Sequence, residues 1–199
     1  MTRCIQFVSV IVALGLLTGC ATVSNVNSYL DPARADRIRT LNTFDTVTLA
    51  DQSAAWCDNP ILEKNLLAAL KDSLVKTGYV YDPAKAEFHV CVRYAAEEFP
   101  DYVAPYTYTT TSMMMGGGGR RGVVGVPIEE IHTTPGYTII RYHCTMTVYF
   151  TDSAPKPDTI KQTAFWIGEA AATADSTDIT KVAPAMCAKL MDKLRDLRK

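Results

Sequence analysis

The residues best suited to recognising another molecule lie in one stretch of the chain, residues 97–136. Tyr102, Tyr106 and Tyr108 stand close together in it, and three methionines, four glycines and two arginines follow. Tyrosine and methionine suit protein interfaces because they offer large contact areas and adapt to a partner. A connection of this length without secondary structure of its own is typically a binding element or disordered. The three tyrosines are therefore candidate binding residues, and a hairpin tip without a role is the alternative.

A metal site is the second kind of chemistry to consider. His89 and Cys91 are two residues apart, so they share one face of an extended strand. His143 would join them if its strand is a neighbour, and imidazole and thiolate are ligands for zinc or copper. The competing interpretation is three unconnected surface groups, with Cys91 engaged in a disulfide. We favour the competing interpretation and predict no metal site and no cofactor.

The sequence lacks the patterns that are typical of catalysis. No glycine-flanked serine is placed as a nucleophile elbow, and no Lys-Ser or Lys-Thr pair follows the glycine run as in a phosphate loop. The acidic pairs Glu97-Glu98 and Glu129-Glu130 are adjacent residues, which point to opposite faces of a strand. We therefore predict that the protein is not an enzyme.

The N-terminal segment has the pattern of a secretory signal that ends in a lipidation site. Arg3 precedes an uncharged, mostly apolar run that is too short to span a bilayer but typical of a signal-peptide core. The run ends in Leu17-Thr18-Gly19-Cys20, the pattern of a bacterial lipobox. We expect residues 1–19 to be removed as a signal peptide and Cys20 to carry the lipid. Two or more acyl chains give stable membrane anchoring.

The residues after Cys20 indicate where the anchored protein resides. Ala21 follows the cysteine, and no aspartate stands there. In a two-membrane bacterium the familiar sorting pattern then directs the protein to the outer membrane, facing the periplasm. Residues 20–42 are predicted to be the lipidated N-terminus and a tether, and residues 43–199 the folded domain.

The charge balance limits the partners. Arg3 is the one charged side chain among residues 1–19, so removing them leaves 19 basic against 21 acidic residues and a net charge of −2. Nucleic-acid binding needs a basic surface, which this composition does not supply. The predicted partners are therefore the membrane, through the lipid, and another envelope protein, with no nucleic acid.

Four cysteines remain beside Cys20, and their even number in an oxidising compartment suggests two disulfides. Three connectivities are open, although strand alternation places Cys91 and Cys144 on opposite sheet faces. Four separate buried thiols are the alternative. The cysteines concerned are Cys57, Cys91, Cys144 and Cys187.

Periodicity predicts the elements that position these residues. Alternating apolar and polar residues indicate half-buried strands, and leucines recurring every fourth residue indicate an amphipathic helix. Asn59-Pro60 is a helix-start signal and Gly78 a helix-end signal. The predicted strands are 44–49, 87–95, 137–150 and 159–173, and the predicted helices are 61–76 and 177–197.

This order predicts a two-layer α+β sandwich, since two helices with single apolar stripes need one sheet face to cover. We expect an approximately four-stranded mixed sheet, with an optional edge strand over Thr22–Tyr29. Both helices would cover one face, and the other face would meet water. Residues 97–136 would form a long flexible insertion between the second and third strands.

These features together resemble the DUF4136 family of bacterial envelope lipoproteins. The resemblance covers roughly residues 22–197 and implies no catalytic residues, since the family has no established activity. This chain departs from the family pattern in its extra cysteines and in Ala86-Glu87, where an aspartate-rich start is usual. The residues that carry the resemblance are Thr43-Phe44, Lys76-Thr77-Gly78-Tyr79, Phe88-His89-Val90-Cys91-Val92, the Tyr/Gly-rich insertion and Trp166-Ile167-Gly168-Glu169-Ala170.

The sequence thus predicts a lipid-anchored cell-envelope protein with a non-enzymatic binding or assembly role. Two alternatives remain open at this point. One is a carrier of a small apolar ligand, and the other is a metal- or redox-active protein that uses the extra cysteines.

Overall fold

The computed structural model describes residues 22–53, 59–116 and 124–198. The chain divides into two compact units. We call the first the body, which comprises the chain up to Glu97 and from Tyr142 onward, and the second the arm, Glu98–Arg141. The signal segment, Cys20 and Cys57 lie outside the described residues.

Strands and helices alternate irregularly along the described chain. Short 3-10 turns at Pro32–Arg34 and Ile179–Lys181 precede two of the helices. In chain order the elements are β1 (Thr22–Leu30), α1 (Ala35–Thr40), β2 (Thr43–Thr46), α2 (Pro60–Lys76), β3 (Val80–Tyr81), β4 (Phe88–Val103), β5 (Tyr106–Gly116), β6 (Val124–Thr134), β7 (Tyr137–Thr151), α3 (Ile160–Thr163), β8 (Ala164–Ala174) and α4 (Ala183–Arg198).

The principal sheet has six strands in the order β1-β8-β7-β4-β2-β3. β8 pairs antiparallel with both β1 and β7, whereas β2 pairs parallel with β3 and β4. A separate two-stranded sheet is formed by β5 and β6. The prediction of an approximately four-stranded sheet with two helices was therefore wrong. The described residues contain eight strands and four α-helices.

The strands β3, β5 and β6 escaped prediction, and β1 was predicted only as an optional edge strand, because these segments carry little hydrophobic periodicity. β1 is largely Asn and Ser on its exposed side, β3 has two residues, and β5 is rich in Thr. The segment assigned to a tether thus supplies β1 and α1, and β1 occupies the place of the optional edge strand. The pairing of β1 with β8 and of β3 with β2 joins segments that are distant in sequence, which local pattern does not encode.

Helix α2 forms where its caps predict. The Asn59 side chain accepts hydrogen bonds from the backbone N–H groups of Ile61 and Leu62, both at 3.1 Å, and Pro60 opens the helix. Such caps satisfy amide groups that have no partner within the helix. Gly78 ends it with φ at 102°, a conformation that suits glycine.

The main core lies between one sheet face and the helices α2 and α4. Phe88 and Phe150 have ring centroids 4.8 Å apart, and Phe150 and Trp166 have centroids 4.5 Å apart. Trp166 is fully buried. This face corresponds to the apolar side predicted for β4 and β7. Its other fully buried side chains include Phe44, Leu66, Leu70, Leu74, Met146 and Leu190.

The second sheet face is partly covered, which corrects the expectation that it meets water. Leu49, Ala50 and Ile160 form a small apolar cluster over Cys91 and Tyr149. The loop after β2 and the short helix α3 bring these residues there. The first residues of the strand predicted at 159–173 form α3 because the chain turns before it enters β8.

The last helix begins later than the predicted residue 177. Asp178 caps a 3-10 turn by accepting a 3.1 Å hydrogen bond from the Thr180 N–H, and α4 follows from Ala183. Of the predicted apolar stripe, Met186, Leu190 and Leu194 are buried on α4 and Val182 is buried just before it. The helix also buries Ala183, Cys187 and Met191. Among the described residues, no helix is both long enough and apolar enough to cross a membrane.

The arm is built of strands, which corrects the prediction of an insertion without structure. β5 and β6 pair antiparallel from Tyr106 opposite Thr134 to Gly116 opposite Val124. Residues 117–123 lie outside the described residues. The Thr-rich sequence favours this arrangement because β-branched residues fit extended backbone.

Candidate functional site

The arm carries a row of exposed aromatic rings, which we call the aromatic row: Tyr106, Tyr108 and His132. The rings of Tyr106 and Tyr108 are stacked at 6.2 Å, and those of Tyr108 and His132 at 5.1 Å. The row follows from the strand pattern, because residues two apart share a face and Tyr108 lies opposite His132. Tyr106 and Tyr108 are 54% and 47% exposed.

Polar groups border the aromatic row. Thr110 Oγ1 lies 3.0 Å from His132 Nε2, and Glu130 Oε2 lies 3.6 Å from the same nitrogen. Rings with polar edges are typical of interface residues, because they offer both contact area and directional hydrogen bonds.

Tyr102, the third predicted binding residue, lies on another strand of the arm. It is 65% exposed, and its ring lies against Gly136. Next to Tyr102 in the sequence, the Asp101 carboxylate forms an ion pair with the Arg141 guanidinium at 3.0 Å. The structure therefore brings Tyr106 and Tyr108 together and leaves Tyr102 at a separate exposed position. Among the arm's described side chains, the other exposed large apolar ones are Ile131, Tyr137 and Ile140.

Three of the predicted disulfide cysteines are buried free thiols: Cys91, Cys144 and Cys187. Burial, followed by the nearby Glu63 carboxylate, raises the pKa of Cys91 well above its ordinary value. Burial raises the pKa of Cys187 to about 12 and also raises the pKa of Cys144. Thiols react and bind metals as thiolates, so these side chains are poorly suited to redox or metal chemistry.

Two of the residues considered as metal ligands, His89 and Cys91, have other neighbours in the structure. His89 lies beside Asp45, with Nδ1 and Oδ2 4.0 Å apart, and Cys91 donates to the Tyr149 carbonyl at 3.9 Å. Within the described ranges, no group of three or more His, Cys, Asp or Glu side chains is placed to hold a metal ion.

A buried carboxylate, which the sequence analysis missed, holds the loop over Cys91. Glu63 on α2 is fully buried and accepts hydrogen bonds from the backbone N–H groups of Leu49 and Ala50, both at 2.9 Å. A buried charge needs such partners, because an unsatisfied carboxylate carries a large desolvation cost. Glu63 therefore joins α2 to the loop that covers the second sheet face.

The second sheet face also carries an open groove in the body, which we call the sheet groove. It consists of two depressions of about 450 and 360 Å³ that share Thr145, Thr147 and Glu169. Strand alternation brings its side chains to one face, since β1, β8 and β7 are adjacent and in register. The other side chains that line it include Asn25, Asn27, Tyr29, Arg93, His143, Tyr149, Lys161 and Ile167.

Charged groups meet at the end of the sheet groove near Tyr149. Burial raises the pKa of the Tyr149 hydroxyl, the Arg93 guanidinium opposes this shift, and the Glu169 carboxylate adds to it. Opposite charges of Arg93 and Glu169 thus act on one hydroxyl. The sequence analysis missed the groove, although the alternating Thr, Asn and Glu positions were a usable signal.

Comparisons with known proteins give little guidance. No protein-family model matches the chain, and no curated protein matches it. Among solved structures, the chain is similar to a PDZ domain protein from Parabacteroides distasonis ATCC 8503, with 16% identity and a TM-score of 0.44. The similarity covers 85% of this chain and 36% of the other. A likeness at this level carries no functional argument.

Proposed function

We propose that this chain is a lipid-anchored protein of the bacterial outer membrane that faces the periplasm and binds another envelope protein through its arm. The proposed role is binding or assembly rather than catalysis. The observation that carries the proposal is the aromatic row of Tyr106, Tyr108 and His132 on the arm.

Physical chemistry supports the arm as a contact surface. Exposed tyrosines offer large, rigid contact area at a low entropic cost, and aromatic residues are enriched among those that dominate binding energy. Both strands of the arm's two-stranded sheet also have one edge outside that pairing, which an extended partner segment can join by backbone hydrogen bonds.

Crosslinking in cells tests the contact. A photoreactive phenylalanine analogue replaces Tyr106 in the full chain, expressed in its own bacterium, and adducts are identified by mass spectrometry. The matched control places the same analogue at Ile61, which is 72% exposed on α2 in the body. We expect one dominant envelope protein from position 106 only. Identical adducts from both positions, or none, would contradict the proposal.

A triple variant tests whether the tyrosines supply the binding energy. Replacing Tyr102, Tyr106 and Tyr108 together by Ser is expected to abolish capture of the crosslinked protein while leaving the Tm unchanged within about 2 °C, since surface substitutions are nearly neutral. Undiminished capture with the triple variant would remove these tyrosines from the proposed contact.

Labelling tests the anchor separately. Radiolabelled palmitate is expected to enter the wild-type chain and the Cys57→Ser variant, but not the Cys20→Ser variant, which should leave the membrane fraction. A wild-type chain without label, or label retained in Cys20→Ser, would overturn the lipoprotein assignment.

A further inference from the structure

We propose that the sheet groove of the body is a binding site for an acidic oligosaccharide, a short glycan that carries carboxylate groups. The inference concerns a different surface from the arm and does not depend on the arm's partner. It follows from the shape of the groove, the side chains on its floor and the charges at one end.

The groove is open and elongated rather than enclosed. Its two depressions are continuous through Thr145, Thr147 and Glu169 and cross the sheet face from β1 towards β4. Along β1, the positions from Asn25 to Tyr29 span four residues, or about 13 Å at the usual rise of a strand. A shallow trough of this length suits a chain of a few linked sugar rings better than a compact ligand.

The floor of the groove offers polar groups in adjacent rungs. Asn27, Glu169 and Thr147 occupy one cross-strand rung, and Asn25 and Thr145 flank Ala171 in the next. Amides and hydroxyls both donate and accept hydrogen bonds, and the Glu169 carboxylate accepts them, so these rungs can pair with both the donors and the acceptors of sugar hydroxyls. Five of the six side chains in these two rungs are polar, so an apolar ligand lying over them would leave polar groups unpaired.

An aromatic ring lies at the charged end of the groove. Tyr29 is 55% exposed and shares its rung with Ile167 and Tyr149. An exposed aromatic face packs against the C–H face of a sugar ring, which removes apolar area of both from water. The Tyr29 ring therefore supplies an apolar stacking contact in addition to the hydrogen bonds from the floor of the groove.

Charge complementarity selects an acidic glycan over a neutral one. Arg93 and Lys161 line the depression that contains Tyr29, and Glu169 is the one acidic side chain among the described residues that line it. The end is thus locally positive in a chain whose net charge is −1. A guanidinium binds a carboxylate through two parallel hydrogen bonds, which gives both strength and orientation.

A peptide partner is the less suitable occupant. Peptides that add to sheets use an unpaired strand edge, whereas this groove lies on the face and crosses several strands.

Titration calorimetry on the full chain in detergent tests the proposal with three probes: trigalacturonic acid, maltotriose and the peptide Asp-Asp-Asp. We expect trigalacturonic acid to bind at least tenfold more tightly than either of the others. Equal binding of maltotriose would overturn the role of charge, and equal binding of the peptide would overturn the role of the sugar. Absence of binding by trigalacturonic acid would overturn the proposal itself.

Variants then locate the site. Arg93→Gln and Asn27→Ala are expected to weaken trigalacturonic acid binding about tenfold, or about 1.4 kcal/mol, whereas Lys189→Gln on the exposed side of α4 should leave it unchanged. Thermal unfolding of each variant shows whether the fold is retained. If folded Arg93→Gln and Asn27→Ala proteins bind as the wild type does, the site is not this groove.

Discussion

The body and the arm both contain β-strands, but the body buries most of its large apolar side chains whereas the arm exposes several of them. In β4, Phe88, Val90 and Val92 are fully buried in the body, whereas Tyr102 further along the same strand is 65% exposed in the arm. The body gains stability from its core, and the arm presents rings to the surroundings. The core that stabilises the fold and the tyrosines proposed to bind a protein partner therefore lie in different parts of the molecule, and single substitutions should affect one without the other.

The largest expected difference comes from removing one aromatic ring in each region. Phe88→Ala should destabilise the protein by about 3–5 kcal/mol, because it leaves a cavity among Phe44, Phe150 and Phe165. Tyr108→Ala in the arm should change the free energy of unfolding by less than about 0.5 kcal/mol. Urea denaturation measures both. Similar losses in the two variants would show that the arm contributes to the stability of the body.

Breaking the link between α2 and the loop over Cys91 should have the next largest effect. Glu63→Ala is expected to cost about 2–3 kcal/mol, since it leaves the buried N–H groups of Leu49 and Ala50 without an acceptor. The loop should then open, and N-ethylmaleimide should modify Cys91 at least tenfold faster, as peptide mass spectrometry can measure. The Glu63→Gln side chain retains one acceptor oxygen, so the stability of this variant and its rate of Cys91 labelling should lie between those of wild type and Glu63→Ala. Unchanged labelling of Cys91 in Glu63→Ala would contradict this role.

Replacing a glycine by alanine should lower the free energy of unfolding in the body but not in the arm, with a smaller difference than in the preceding comparisons. A Cβ at Gly168 would overlap the buried Trp166 ring and lie 2.9 Å from Leu190 Cδ2, so Gly168→Ala should cost about 1–2 kcal/mol. A Cβ at Gly136 would meet mainly the Tyr102 ring, which is exposed and free to turn into solvent. We expect Gly136→Ala to be nearly neutral in thermal unfolding. An equal loss of thermal stability in both variants would show that the Tyr102 ring cannot move aside and is as rigidly packed as the Trp166 ring.

The smallest change in stability is expected at Glu87, an exposed residue just before β4. Glu87 accepts hydrogen bonds from the backbone N–H groups of Asn42 and Thr43, at 2.7 and 2.9 Å, and these bonds lower its pKa below the ordinary 4.5. The carboxylate therefore stabilises the body fully above pH 4.5, and this contribution is lost as the pH falls further through the lowered pKa.

Glu87→Gln should make the free energy of unfolding less dependent on pH below 4.5 and should lower it slightly at pH 7. Urea denaturation across this range measures both quantities. Glu98→Gln, an exposed substitution in the arm, is the matched control and should leave the pH dependence unchanged. Identical pH profiles for wild type and Glu87→Gln would remove this carboxylate as a cause of acid sensitivity.

Local pattern was sufficient where an element satisfies its own backbone. Helix α2 follows from its leucine spacing, the Asn59 cap and Gly78, all of which act within a few residues. The inward side of β4 and β7 follows from alternation. By contrast, β1, β3, β5 and β6 depend on pairing with another segment. The local pattern therefore predicted β1 only as an optional strand in the tether, placed β5 and β6 in a flexible insertion, and predicted no strand at β3.

The candidate sites divide in the same way. The exposed tyrosines could be selected from the sequence because they stand close together in a polar segment. The pairing of Tyr108 with His132 could not, since it depends on the register of β5 and β6. The sheet groove joins residues of β1, β4, β7 and β8 that are distant in sequence, and the six-stranded order alone makes them neighbours.

The sequence by itself determined the helix α2, the inward faces of two long strands and the prediction of a lipidated Cys20, since each rests on residues within one short segment. The tertiary structure decided the number of strands, the burial of Cys91 beneath Leu49 and Ala50, and the assembly of the aromatic row and the sheet groove. The physical reason is that burial and pairing depend on which distant segments meet, and chain-local periodicity carries no information about that choice.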